Sequence, residues 1–270
     1  MRKKVLKKSL VQSIVLDDVV WKVHLGGERL LVETREGRSK RFNLHCIAVR
    51  TAEALWKMDE TSLNWWETVA TITDRYIALS AYQDPAFPYT GGVKVLDLSD
   101  GRVLWENKTY RALGLKTSDA LLVSSSEAGD ASEVWRVGLD TGEVQEKVGI
   151  HELGDWYEQV NPELSYPAFY PEGHAYFDQV ADFLKLRGFY PVKAIEYVEI
   201  DGKIVMGFYQ EEERMFRFSL LIVNDMGDEL WRDSGINQSE GIGFGMYFLL
   251  KEWVVFVRDK KEIVILNLSI

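Results

Sequence analysis

Apolar and polar positions in this chain fall into a phrase that returns. The stretch VKVLDLSDGRVLWE (93–106) reads as an apolar strand, a polar tight turn and a second strand. IAVRTAEALWK (47–57), VWRVGLDTGEVQE (134–146) and LIVNDMGDELWR (221–232) have the same build. Two further runs precede each phrase: 19–28 and 29–36, 67–74 and 75–83, 111–119 and 120–127, 192–202 and 203–211. These runs are rich in Val, Ile, Leu and aromatics and end in Asp, Gly or Glu, as strands that end in turns do. Each unit is therefore predicted to hold four strands. Trp21 is assigned to a first strand, because the run at Arg29 follows too soon to leave room for another between them.

The turns set the period. Ala52, Gly101, Gly142 and Gly227 hold the same place in each phrase, 49, 41 and 85 residues apart, the last close to twice the second. A Leu-Trp pair follows three residues later at Leu55-Trp56, Leu104-Trp105 and Leu230-Trp231. Glycine reaches positive φ without steric cost, which predicts a two-residue hairpin at this place. A period of about 40–45 residues with four strands per unit is that of β-propeller blades. The C-terminal runs 243–252, 253–261 and 262–270 supply only three strands of a last blade, and ILNLSI mirrors VLDLSD. The apolar segment 9–16 is predicted to add the fourth, closing the ring and removing an exposed edge. The fold class is thus all-β, a single propeller domain over 1–270 with five four-stranded blades closed by the N-terminal strand.

Residues 151–191 are left over. Within 171–188, Phe177, Val180, Ala181 and Leu184 stand at helical spacing, with Pro171 near the start and Gly188 placed to end the helix. The segment is read as a helix-containing insertion between blades; the alternative is a degenerate sixth blade.

The LDLSDGRVLW phrase resembles the repeat of quinoprotein-like β-propellers (PQQ-repeat or WD40-like), in which a strand ends in Asp, turns through Thr/Asp-Gly and leaves through an apolar-Trp pair. The stretch YPEGHAYFDQVADFL is also similar to an uncharacterised bacterial propeller family of about this length, which brings no assigned activity. The resemblance implies a fold more than a function. Quinone-cofactor dehydrogenases of this repeat type are exported, larger and often use adjacent cysteines, whereas this chain has one. The Gly-His and Trp-Asp marks of WD40 repeats are missing.

Charge narrows the partners. Lys and Arg total 32 against 42 Asp and Glu, a net charge of −10. That balance excludes general nucleic-acid or anionic-membrane binding, which needs a basic face. The single Cys46 lies in the apolar run NLHCIAVR, excludes an intrachain disulfide and a Cys-rich zinc site, and is assigned to the core. The basic N-terminus lacks the apolar run of a signal peptide, and no window matches a membrane span, so a cytoplasmic protein is expected.

Chemical motifs are sparse. His174 and Asp178 stand at i,i+4, too few ligands for a metal site, and His24 and His45 are assigned structural roles. Trp65-Trp66 is placed in the core, and EEER (211–214) at a solvated hairpin tip. EGIGFGMYF (240–248) is glycine-rich but leads into a strand, so it lacks the setting of a phosphate loop. Neither cofactor nor metal is expected. The insertion and the loop DPAFPYTGG (84–92) are predicted to rise on one propeller face. They would gather Trp156, Tyr157, Tyr166, Phe169, Tyr170 and His174 with Phe87 and Tyr89 as a binding surface. The expected function is non-catalytic binding of a protein partner or small molecule there. The alternative is a hydrolase, possibly carbohydrate-active, with carboxylates at the channel mouth; Glu196 and Glu199 are candidates on a strand expected to line the channel.

Overall fold

The computed structural model describes residues 11–59, 61–82, 90–125, 133–149 and 164–269. The chain is all-β apart from one helix, and its strands form antiparallel sheets within two compact units. No described helix is long and apolar enough to cross a membrane.

The unit Asp18–Asn161 holds three four-stranded meanders. With β1 reserved for Val11–Val15, the first sheet is β2 (Val19–Gly26), β3 (Arg29–Glu36), β4 (Arg41–Ala48) and β5 (Ala54–Met58). The second is β6 (Glu67–Ile72), β7 (Tyr76–Tyr82), β8 (Thr90–Asp97) and β9 (Val103–Asn107). The third is β10 (Tyr110–Thr117), β11 (Ala120–Ser125), β12 (Val134–Gly138) and β13 (Val144–Val148). Consecutive sheets pack face to face. Leu31, Leu44 and Cys46 of the first meet Ile77, Leu79 and Leu96 of the second. Val93 and Val95 of the second meet Leu121, Val123 and Val137 of the third on the same plan. Cys46 is buried, and burial pushes its thiol up to about 11.

The recurring phrase is an interlock between sheets. Trp56 on β5 donates its indole N–H to the carbonyl of Leu98 at 3.0 Å, just past β8. Trp105 on β9 donates to Leu139 at 2.9 Å, just past β12. Each ring lies on the turn glycine of the next sheet: a Cβ added to Gly101 would stand 2.9 Å from Trp56, and one added to Gly142 2.7 Å from Trp105. Glycine is needed twice over, since both also have positive φ, 76° and 72°. The turn differs from the expected two-residue hairpin. Asp97 N–H donates to Arg102 and Gly101 N–H to Asp97, so the loop holds four residues, 98–101, and 139–142 repeats it. Four residues let the first, Leu98 or Leu139, turn its N–H back to the β-turn between the first two strands, at Arg75 or Asp119 (2.8 Å each). Ala52 takes the glycine's place in the first sheet at φ 52°.

The unit formed by Met1–Asp17 and Pro162–Ile270 holds two five-stranded sheets. β14 (Leu164–Ser165) and β15 (Ala168–Pro171) precede helix α1 (Ala175–Lys185). β16 (Val192–Ile200), β17 (Lys203–Glu212), β18 (Met215–Asn224) and β19 (Glu229–Ser239) form a meander, with β15 added to its β16 edge. β20 (Tyr247–Leu250), β21 (Trp253–Arg258) and β22 (Glu262–Asn267) form the other, with β14 on one edge and β1 on the other. β1 pairs antiparallel with β22 from Val11↔Leu266 to Val15↔Glu262, the pairing expected for segment 9–16. Leu268 N–H donates to Glu252 at 2.7 Å, as Leu98 and Leu139 do in their sheets, so ILNLSI does follow VLDLSD.

The described part of 151–191 builds no sheet of its own. It lends one edge strand to each sheet of its unit and then forms the helix. His174 caps the N-terminus, accepting the Tyr176 N–H on its ring, and Gly188 (φ 84°) ends the last turn with Phe189 N–H bonded to Leu184. Pro171 belongs to β15 rather than to the helix. Phe177, Ala181 and Leu184 bury against Ile195, Met206, Phe208 and Leu221 on one face of the β16–β18 sheet. At the turn of that sheet stands Gly227, φ 80°, and here the helix takes the place of a tryptophan. A Cβ there would stand 3.1 Å from Arg187 and 3.4 Å from Phe183, and Arg187 donates to the Gly227 carbonyl at 2.7 Å.

Candidate functional site

Of the residues expected to form the binding face, Trp156, Tyr157, Phe87 and Tyr89 lie outside the described residues. Tyr166, Phe169, Tyr170 and His174 are described, and strand β15 organises them. β15 pairs with β16 so that Phe169 faces Glu196 and Tyr170 faces Ile195 across the ladder. Alternation sends successive side chains to opposite faces. On one face Tyr170 stacks on His174, with centroids 5.1 Å apart and planes 12° from parallel. Tyr176 and Tyr197 lie against it at 5.3 and 6.1 Å. The capping bond fixes the His174 ring, so the stack is set by the same contact that starts the helix. On the other face Phe169 meets Phe244 at 4.6 Å. Tyr166 packs apart from this group, on Phe248 at 6.2 Å. Tyr176 is 55% exposed and Phe244 75%, so each cluster has an inner ring held by the sheet and an outer ring open to solvent. Tyr176 and Phe244 are not legible in the sequence alone; the aromatic-Gly rhythm of 240–248 is the one signal for Phe244.

Beneath Phe244 lies the acid of the site. Glu196 is 1% exposed, and its carboxylate accepts the Met246 N–H at 3.0 and 3.2 Å, with the Gly245 N–H also turned to it. No cation pairs with it among the described residues. Burial therefore outweighs the two amides and pushes the carboxyl up to about 7. The glycine-rich loop thus turns its amides on a carboxyl group, one supplied by its own chain. Tyr209 stands alongside, accepting the Gly243 N–H at 2.9 Å and donating to the Gly243 carbonyl at 3.2 Å.

The expectation that β16 is an innermost strand is corrected, since β15 covers its edge and Glu196 is sealed behind it. Glu199, three residues on, points to the opposite face and accepts a hydrogen bond from Tyr197. Those two acids cannot act as a pair.

The unit Asp18–Asn161 carries a second polar concentration. Glu33, fully buried, accepts from His24 at 2.8 Å, Thr68 at 3.2 Å and the Val69 N–H at 3.2 Å. Burial raises its pKa, but His24, the Val69 amide and Arg35 outweigh that and hold it below the ordinary carboxylate value. Arg35 spends its guanidinium on the carbonyls of Trp65 and Glu67 and lies over the rings of Phe42 and Trp65. His45 bonds Thr34 at 3.1 Å, so both strand histidines are held by a neighbouring strand of their own sheet. Trp66 corrects the core assignment: it is exposed, while Trp65 is half-buried beneath Arg35. A cleft of about 520 Å³ lies beside Lys94, whose ammonium sits between Glu67 (2.6 Å) and the Ser62 carbonyl (3.2 Å). Its charges are balanced internally.

Residues 25–105 match a family described as Domain of unknown function (DUF4905), which is under half of the chain. No curated protein matches the chain. Among solved structures it is similar to a member of the DUF4221 family from Bacteroides vulgatus, at 10% identity and a TM-score of 0.36, covering 98% of each chain. It is similar to the β-propeller domain of the Trilobed protease from Pyrococcus furiosus at 10% identity and a TM-score of 0.33, covering 89% of this chain and 64% of that one. Dihydro-heme d1 dehydrogenase NirN is similar at 11% identity and a TM-score of 0.32, over 83% of this chain. The chain spans only 39% of NirN's length.

Proposed function

We propose that the chain is a single β-propeller that serves as a non-catalytic binding module, engaging a protein partner along edge strand β15 through the exposed aromatics on its two faces. The propeller reading takes the five sheets as blades, β1 as the outer strand of the last one and the segment ending at Gly188 as an insertion. It is supported by the interlocks of Trp56 and Trp105, repeated from sheet to sheet, and by the β1–β22 pairing. Kinship with quinoprotein-like repeats is part of the same proposal and rests on the LDLSDGRVLW phrase.

One observation carries the binding reading. Exposed Tyr176 and Phe244 stand on inner rings, Tyr170 and Phe169, that strand and helix cap hold in place. Aromatics presented rigidly bring large contact area at little entropic cost, which is what docking surfaces use. Rings this open suit a macromolecule better than an enclosed small ligand.

The test is affinity capture from the native extract with wild type and with the Tyr176→Ala, Phe244→Ala double variant, quantified by mass spectrometry. Both positions are exposed, so the melting temperature should stay within a few degrees. A partner retained by wild type and lost by the variant supports the surface. A partner held equally by both refutes it.

A further inference from the structure

Segment 240–246 joins β19 to β20 and carries Phe244. Its ties include the Glu196–Met246 bonds, the reciprocal Tyr209–Gly243 pair and the Phe169–Phe244 contact. Three glycines, Gly241, Gly243 and Gly245, loosen its backbone, and a Cβ at Gly241 or Gly245 would meet nothing within 4 Å. Ile242 and Met246 pack against the core of the unit, and the rest of the segment is exposed or seated on a buried carboxylate.

The surroundings of Glu196 offer nothing to neutralise it. From β17 and β20 it faces the phenols of Tyr209 and Tyr247, both raised by burial and by its own charge, the former to about 12. From β15 it faces Phe169, and from the segment itself Gly245 and Met246, none of which titrates. Glu240, at the start of the segment, is exposed. An ionised carboxylate in such a place is stabilised by a rearrangement that admits water, and the glycine-rich segment above it, with Gly241, Phe244 and Gly245 exposed, is the cover that has to lift.

We infer that ionisation of Glu196 unseats segment 240–246 and withdraws Phe244 from Phe169, making the segment a pH-operated flap at the edge of the aromatic surface. The functional meaning of the flap rests on the binding role of that surface; its motion does not. The Glu196 carboxyl, pushed up to about 7 when covered, returns towards the ordinary value of 4.5 when hydrated. The open-to-closed ratio then rises about tenfold per pH unit between those values and levels off above the higher one, about 300-fold in all.

Hydrogen–deuterium exchange of residues 241–246, expressed as protection factors from pH 5 to 8, reads this directly and needs no partner. Protection should fall by about 70-fold in wild type across that range and stay flat in Glu196→Gln. Phe244→Trp, with Glu196 intact, gives a second readout if the glutamine variant folds poorly: the indole emission should shift red over the same pH range. Flat protection in wild type, an equal fall in Glu196→Gln, or pH-independent indole emission would overturn the flap. A flap that moves, in a protein whose partner ignores the loss of Phe244, would leave this inference standing and sink the surface reading alone.

Discussion

Gly142→Ala probes the interlock between sheets most sharply. Two costs fall on the new methyl group. The backbone there has φ 72°, a left-handed conformation that costs an L-residue about 1–2 kcal/mol. The Cβ would also stand 2.7 Å from Cδ2 of Trp105, closer than real contacts allow, so the indole must shift. Overpacking of that kind costs about 1–3 kcal/mol, including strain on the 2.9 Å bond to Leu139. The single variant should therefore lose about 2–5 kcal/mol. Trp105→Ala empties the space above the turn, and in that background Gly142→Ala should cost only the backbone share, about 1–2 kcal/mol. The cycle should thus show a coupling of about 1–3 kcal/mol. Urea unfolding followed by far-ultraviolet circular dichroism measures all four proteins without relying on tryptophan emission. If the glycine substitution costs the same in both backgrounds, to within about 0.5 kcal/mol, the ring does not bear on the glycine and the reasoning fails.

Ala52→Gly tests the same turn position from the other side. Relief of the strain at φ 52° should outweigh the added freedom of the unfolded chain and stabilise by up to about 1 kcal/mol, measured as a rise in the urea midpoint. Glu196→Gln should reveal a pH-linked stability. The folded pKa of about 7 exceeds the ordinary 4.5, so the native state holds the proton after the unfolded chain has lost it. The contribution is intact below pH 4.5, is lost as pH rises towards 7 and is flat above, on the order of 3 kcal/mol in total. The variant should therefore gain on wild type from pH 5 to 8, and a constant difference would contradict the assignment. Removal of residues 1–16 takes away β1 and bares the edge of β22; light scattering should show self-association, and an unchanged monomer would mean that the strand is dispensable.

Nearly all the strands were legible, because a half-buried strand must alternate and its ends must turn. β14 and β15 were not. They are two and four residues long, too short to show a period, and they pair with partners more than twenty residues away. The helix was legible through Phe177, Ala181 and Leu184, since one face of 3.6 periodicity was buried. The Trp pairs were visible as a repeat, but not what they rest on: the Leu98 carbonyl is 42 residues from Trp56. The aromatic site was legible at Tyr170 and His174, which lie close in sequence, and silent at Phe244, which reaches Phe169 from 75 positions on. Glu196 showed as an acid in an apolar strand, yet its amide partner is 50 residues downstream, so its environment could not be read. Trp66 misled because it borders a strand without entering the sheet.

The helix that covers the Gly227 turn has a consequence for the order in which sheets dock. Trp56 and Trp105 make the same bond to the same kind of turn, so each could serve the other's receptor, and identical joints invite a sheet to settle on the wrong neighbour. The junction made by Phe183 and Arg187 has different chemistry: a guanidinium aimed at one carbonyl and a benzyl ring in place of an indole. The turn at Gly227 is thereby marked off from the other two by what covers it, a helix packed on its own sheet.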